Sequence, residues 1–189
     1  MQSVGFHGFG YDETKRRAWQ NPETILQEIG LRSGSVFMDM GCGDGFFSIP
    51  AARTVGSEGR VYAVDVDEGS VKRIMQRASR EGLLNVILRI GKAEDTVFCE
   101  SCANYVFFGN VLHDFEEPAK VLANARTMLK PRGRLIDLDW KKKLMPIGAP
   151  YWKRFEEEKA TALIANAGFR IERVRDSGPY HYMIIAERP

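Results

Sequence analysis

Val36–Phe47 reads VFMDMGCGDGFF, and these residues decide the fold. Apolar residues run into an acid, Asp39, and three glycines then alternate at Gly41, Gly43 and Gly45. A buried strand that ends in a glycine-rich turn and opens a helix is a usual place for a nucleotide-like ligand. Glycine lets the backbone turn tightly, and its missing side chain lets a ligand lie against the main chain.

Upstream of this stretch, Asn21-Pro22 starts a helix with proline at its first position, and Ile25, Leu26 and Ile29 form its apolar stripe. Downstream, Phe46, Phe47, Ile49, Ala51 and Ala52 start a helix that packs on the sheet, and Arg60–Val66 is a second strand ending at Asp65. Asp67 can cap the next helix, whose face carries Val71, Ile74, Met75 and Ala78, and Val86–Ile90 is a third strand. A fourth strand covers Tyr105–Phe108. A helix opening at Pro118 carries Val121, Leu122, Ala125 and Leu129, with Lys130 at its negative end. Pro131-Arg132-Gly133 turns into a fifth strand, Arg134–Asp139, and residues 140–151 form an irregular loop. A helix over Phe155–Ala167 precedes two strands, Phe169–Arg175 and Tyr180–Glu187. Their short join through Ser177-Gly178-Pro179 makes the last strand antiparallel. The pattern is a doubly wound α/β sheet of about seven strands, with its ligand rim at the carboxyl ends of the parallel strands.

At 189 residues the chain is most simply one domain, 1–189, large enough for a full core without staples. Residues 1–20 are a tail or a lid, the aromatics Phe6, Phe9, Tyr11 and Trp19 favouring the lid. A net charge of +2, from 27 basic and 25 acidic residues, is too balanced to argue for nucleic acid or a membrane surface. Three cysteines suit a reducing cytoplasm. The N-terminus has no signal-peptide pattern, and no apolar run reaches the ~20 residues of a membrane span. The expectation is a cytoplasmic domain, monomer or homodimer.

A dinucleotide fingerprint needs G-x-G-x-x-G, but its third glycine position holds Phe46. Asp39 and Asp44 crowd a place where pyrophosphate would need positive potential. A cationic, phosphate-free ligand fits better, and S-adenosylmethionine is one. Asp65, ending the second strand, is placed to accept hydrogen bonds from both ribose hydroxyls, the plain alternative being a helix cap.

Together, DMGCGDG, the acid of VYAVDVD, KAED, FFGNVLHDF, MLKPRGRLIDLDW and ANAGFRIERV resemble, in order and spacing, the motifs of class I S-adenosylmethionine-dependent methyltransferases. The nearest group is the small-molecule one, with menaquinone and ubiquinone C-methyltransferases and "type 11" enzymes. The resemblance implies a Rossmann-like sheet in the order 3-2-1-4-5-7-6. It also implies S-adenosylmethionine as donor, S-adenosylhomocysteine as product and a small-molecule acceptor. Gly41, Cys42, Gly43 and Gly45 would flank the methionine and ribose parts, and Asp39 would sit near the ammonium or bond to the turn. Asp65, with Val66 beside it, would hold the ribose. Ala93 and Glu94 would lie against the adenine, whose amine Glu94 or Asp95 could meet. Asn110 would offer its backbone near the sulfonium.

For the acceptor side, His113 in NVLHDF is the candidate general base, its plain alternative being packing or capping with Asp114. Tyr11, Trp19, Tyr180 and His181 are the candidate acceptor wall, the last two alternatively an edge-strand surface. Cys99-x-x-Cys102 lacks a second pair at zinc spacing and reads as two half-buried thiols, with no metal expected. Lys141–Lys143 reads as a solvated loop more readily than as a grip on an anion or RNA. GNVLHD stands where adenine methyltransferases carry N/D-P-P-Y, against a nucleic-acid acceptor. Rival readings are a non-catalytic S-adenosylmethionine-binding module serving a partner protein, a methyltransferase acting on RNA or protein, and a nicotinamide dehydrogenase.

Overall fold

In a computed structural model of the chain, which describes residues 12–189, side-chain caps set the first helix starts. Asp12 accepts from Thr14 N and opens α1 (Glu13–Trp19), and Asn21 accepts from Thr24 N ahead of Pro22 and opens α2 (Pro22–Glu28). Then follow β1 (Val36–Met40), α3 (Ser48–Val55), β2 (Arg60–Asp65), α4 (Glu68–Arg80) and β3 (Val86–Ile90). They lead to β4 (Ala103–Gly109), α5 (Pro118–Met128), β5 (Leu129–Trp140), α6 (Glu157–Asn166), β6 (Arg170–Ser177) and β7 (His181–Glu187). Single turns of 3-10 helix occupy Ala93–Asp95 and Leu112–Asp114.

The seven strands form one sheet in the order β3-β2-β1-β4-β5-β7-β6, with β7 antiparallel to both neighbours, as the resemblance implies. Alternation along the strands divides the core. Phe37, Phe107, Ile136 and Met183 face α2 and α3, while Met38, Phe108, Leu135 and Tyr182 face α5 and α6. Each fully buried aromatic contributes ~2–3 kcal/mol of transfer free energy, so this two-faced burial holds the register. It also aims the polar residues of the strands. Asp39 points to the α3 face, Asp137 and Asp139 to the other.

Several boundaries differ from the sequence expectation. Phe46 and Phe47 lie in the turn, and α3 begins at Ser48. Leu129 is the C-cap of α5, its N–H donating to Ala125 O, and it also starts β5: it pairs with Ala103, and the register then jumps to Tyr105↔Arg134. Asn104 alone therefore stands opposite residues 130–133, where Arg132 takes φ 63°. β6 runs through Ser177, which leaves Tyr180 in the hairpin turn instead of the last strand. β7 lies between β5 and β6, so His181 is on no edge.

Candidate functional site

The three glycines have positive φ of 83°, 50° and 78°, which explains their residue type, but their surroundings differ. A Cβ on Gly41 would fall 2.6 Å from Val111, and one on Gly45 2.8 Å from Ile74 of α4. A Cβ on Gly43 would meet nothing within 4 Å. The outer two glycines let the turn pack, and the middle one faces open space. Asp65 closes this turn from β2: its Oδ2 accepts from Gly43 N at 2.7 Å and its Oδ1 from Asp67 N at 2.9 Å. It is not the cap of α4, since Asp67 accepts from Ser70 N. Carboxylate oxygens with one N–H each keep lone pairs for two hydroxyls.

Asp39 is buried at the end of β1 and accepts from Ser48 Oγ at 2.5 Å. Burial pushes its carboxyl up to about 7, opposed by the Ser48 bond, raised further by Asp65 and lowered by Arg16. A cationic ligand there would favour the ionised form. Asp44, by contrast, turns outward to Arg73 Nε at 2.7 Å and Ser70 Oγ at 2.9 Å. The donor set of Asp39, Asp65 and an open glycine backbone fits a cationic nucleoside ligand and disfavours a pyrophosphate.

Around this turn, Cys42 is buried against Ile49, Ala63 and Ile74, and burial with the nearby acids pushes its thiol up, so only its backbone can face a ligand. Val66 is 47% exposed just past Asp65. Ala93 and Glu94 are buried, but Glu94 Oε1 accepts from Glu116 N at 3.0 Å at the start of α5, and Asp95 pairs with Lys120 at 2.7 Å. Each carboxylate has one oxygen engaged in these contacts. Asp65→Ala is expected to weaken S-adenosylhomocysteine binding more than about tenfold, ~1.4 kcal/mol. Losing the Gly43 bond should also lower stability by ~1 kcal/mol. Calorimetry showing unchanged affinity would remove Asp65 from the site.

Helix α1 and Gln20 after it lie against the carboxyl ends of the strands. Arg16 sits over the Phe46 ring at 3.8 Å, and Glu13 pairs with Arg77 of α4 at 3.0 Å. The side-chain amides of Gln20 and Asn110 face each other at 3.1–3.2 Å. Asn110 holds φ 62°, and its N–H donates to Leu138 O at 2.7 Å. In the amide orientation that satisfies its neighbours, its nitrogen faces His181 Nε2 at 3.2 Å and its oxygen faces Arg16 at 3.1 Å. His181, fully buried, stacks on Trp19 at 5.4 Å and lies 4.2 Å from Trp140, while Trp19 meets Tyr180 edge-on at 5.7 Å. Trp19, Tyr180 and His181 thus come together beside Asn110, and Tyr11 lies outside the described residues. Burial first, then Arg16, Lys141 and Arg154, hold the His181 imidazole down to about 3, so it is neutral. Sequence reasoning missed Arg16, Gln20, Ser48, Trp140 and Asp139. Only DLDW, at the end of a rim strand, carried a signal.

His113 is buried with its side chain 1% exposed, and Nδ1 lies 2.7 Å from Asp139 Oδ1. Nε2 lies 3.3 Å from Asp114 Oδ2, within ion-pair range without hydrogen-bond alignment. Burial opposes its charge, but Asp139 and Asp114 outweigh burial and raise it to about 10. An imidazolium shut between two carboxylates is a poor proton acceptor at neutral pH, so the packing alternative describes His113 better than the base. The sulfur atoms of Cys99 and Cys102 lie side by side, with their Cα atoms 6.1 Å apart. Among the described residues, no helix is long and apolar enough to cross a membrane.

This sheet order with an acid-lined glycine turn defines the class I S-adenosylmethionine-dependent methyltransferase architecture. The profile of the methyltransferase domain family matches residues 31–175, and the chain belongs to that family. It is 30% identical over 124 residues to a demethylmenaquinone methyltransferase of Geobacillus kaustophilus (strain HTA426), which covers 66% of this chain and 53% of that protein. It is 30% identical over 127 residues to the ubiquinone/menaquinone biosynthesis C-methyltransferase UbiE of Marinomonas sp. (strain MWYL1), which covers 67% and 50%. The chain thus spans about half the length of the curated relatives it matches. A crystal structure of a SAM-dependent methyltransferase from Aquifex aeolicus superposes with TM-score 0.87 at 28% identity, covering 95% of this chain and 100% of that one.

Proposed function

We propose that this domain transfers a methyl group from S-adenosylmethionine to a small-molecule acceptor. The observation that carries this is the Asp65 carboxylate closing an open Gly43 turn beside the buried Asp39. Bound there, S-adenosylmethionine supplies an electrophilic methyl on a sulfonium that departs as a neutral thioether. Gly43 would give the ligand a backbone to lie on, Asp65 would accept from the ribose hydroxyls, and Asp39 would face the ammonium. Asn110 orders the rim near the sulfonium, and Ala93 lines the adenine side. Trp19 of α1 with Trp140, Tyr180 and His181 would form the acceptor wall, and the rest of α1 would help exclude water. The quinone-pathway names of the two relatives support an acceptor of small-molecule size.

Neither described histidine is poised as a base: His113 is protonated and His181 is neutral and weakly basic. The chain's contribution is alignment and dryness, which suits an acceptor that brings its own electron pair. A cytoplasmic setting belongs to this reading, and there Cys99 and Cys102 would be reduced. The test is a thermal-shift measurement with S-adenosylhomocysteine and with NADH, followed by an acceptor screen with labelled S-adenosylmethionine. Stabilisation by S-adenosylhomocysteine and label transfer to a small molecule are expected. Stabilisation by NADH alone would overturn the donor, and tight binding without transfer to any acceptor would favour the partner-serving module.

A further inference from the structure

We propose that the loop between β5 and α6 docks the protein on an anionic membrane surface and brings the acceptor wall to the bilayer. The proposal rests on the reading of Trp140 and His181 as that wall.

Residues 140–154 carry five basic residues and no acid. Leu144 is 93% exposed and Trp152 80%, with Tyr151 half-exposed beside them. An aliphatic side chain with tryptophan, tyrosine and lysine is the set that partitions into the headgroup boundary of a bilayer. The exposure is built into the fold. The buried Arg154 guanidinium donates to the carbonyls of Ala149 at 2.6 Å, Lys143 at 2.8 Å, Ile147 at 3.0 Å and Lys141 at 3.3 Å, so one side chain ties the loop around itself. The loop lines an open hollow of about 350 Å³, with Leu144 at its exposed edge and Trp152 exposed nearby.

Charge selects the partner. Lys141 pairs with Asp176 at 2.8 Å, Lys142 with Glu156 at 3.7 Å and Lys153 with Asp114 at 2.8 Å. Exposed Lys143 adjoins Leu144 at the tip. Lys141 is buried and stays with Asp176, whereas the part-exposed pairs of Lys142 and Lys153 are weak and exchange readily for lipid phosphates.

The loop is also continuous with the acceptor wall. Lys141 N donates to Tyr180 O at 2.9 Å, and a Cβ on Gly148 would fall 2.7 Å from the Trp140 ring, which lies against His181. Docking here would set the wall against the membrane, where an apolar acceptor concentrates.

The experiment is co-sedimentation of the full chain with phosphatidylcholine vesicles and with phosphatidylcholine–phosphatidylglycerol vesicles, without cofactor. Binding to the anionic vesicles that weakens with salt is expected. Leu144→Asp with Trp152→Asp should lower it about tenfold or more, while Leu84→Asp, at a 98% exposed site on another surface, should not. S-adenosylhomocysteine affinity and thermal unfolding of the double variant should match the parent, which separates failure of docking from failure of the donor site. No sedimentation with anionic vesicles, or equal sedimentation of the double variant, overturns the proposal. So does concentration-dependent self-association that the same substitutions abolish while vesicles stay unbound.

Discussion

Gly43→Ala is expected to lower S-adenosylhomocysteine affinity by about tenfold to a hundredfold, ~1.4–2.8 kcal/mol, while the protein stays folded. The added methyl group meets no protein atom within 4 Å, so its cost to folding is the left-handed backbone alone, ~1–2 kcal/mol. Its cost to binding is different in kind, since it projects into the space where the ligand would lie against the main chain. Gly45→Ala is the control. Its Cβ would meet Ile74 Cγ1 at 2.8 Å, with a backbone φ of 78°, so it should lose more stability than Gly43→Ala. Titration calorimetry and chemical denaturation on both variants give the contrast. Undiminished affinity in Gly43→Ala would remove the glycine turn as the ligand's backbone.

His113→Ala should cost ~3–5 kcal/mol of stability at pH 7, because it removes the imidazole from the buried Asp139 and leaves that carboxylate only backbone N–H donors. Asp137, on the same face, cannot help, since burial and Asp139 hold its carboxyl well above the usual range. The pH dependence has a definite sign. The His113 pKa rises from 6.5 unfolded to about 10 folded. Its contribution is therefore fully present below pH 6.5 and is lost as pH rises through 10. The gap between parent and variant should narrow steadily across that window in urea titrations. Equal stability at pH 7 would show that the pair does not hold the end of β5. His113→Asn, which restores a donor without the charge, should fall between the two.

The donor half of the site was legible because its requirements are local. Gly41, Gly43 and Gly45 announce their backbone by residue type, and the two strands ending at Met40 and Asp65 place an acid beside them. The alternation of strands and helices gave a doubly wound sheet of about seven strands, and the strand order came with the family resemblance. Local patterning was less able to settle ends of elements. Leu129 fits a helical stripe and also a strand, and pairing with Ala103 across the sheet decided for the strand.

The sequence by itself determined the class of ligand, through an acid where a phosphate would need a cation and Phe46 where a dinucleotide fingerprint needs glycine. Only the tertiary structure decided which polar residues are still open to a ligand. Glu94 and Asp95 became partners of α5, Asp44 of Arg73, and His113 of Asp139. Trp19 and His181, 162 positions apart in the chain, became neighbours. The physical reason is that a carboxylate or an imidazole has the same chemistry in every sequence context, and the charges and solvent that fix its state arrive with elements remote in the chain.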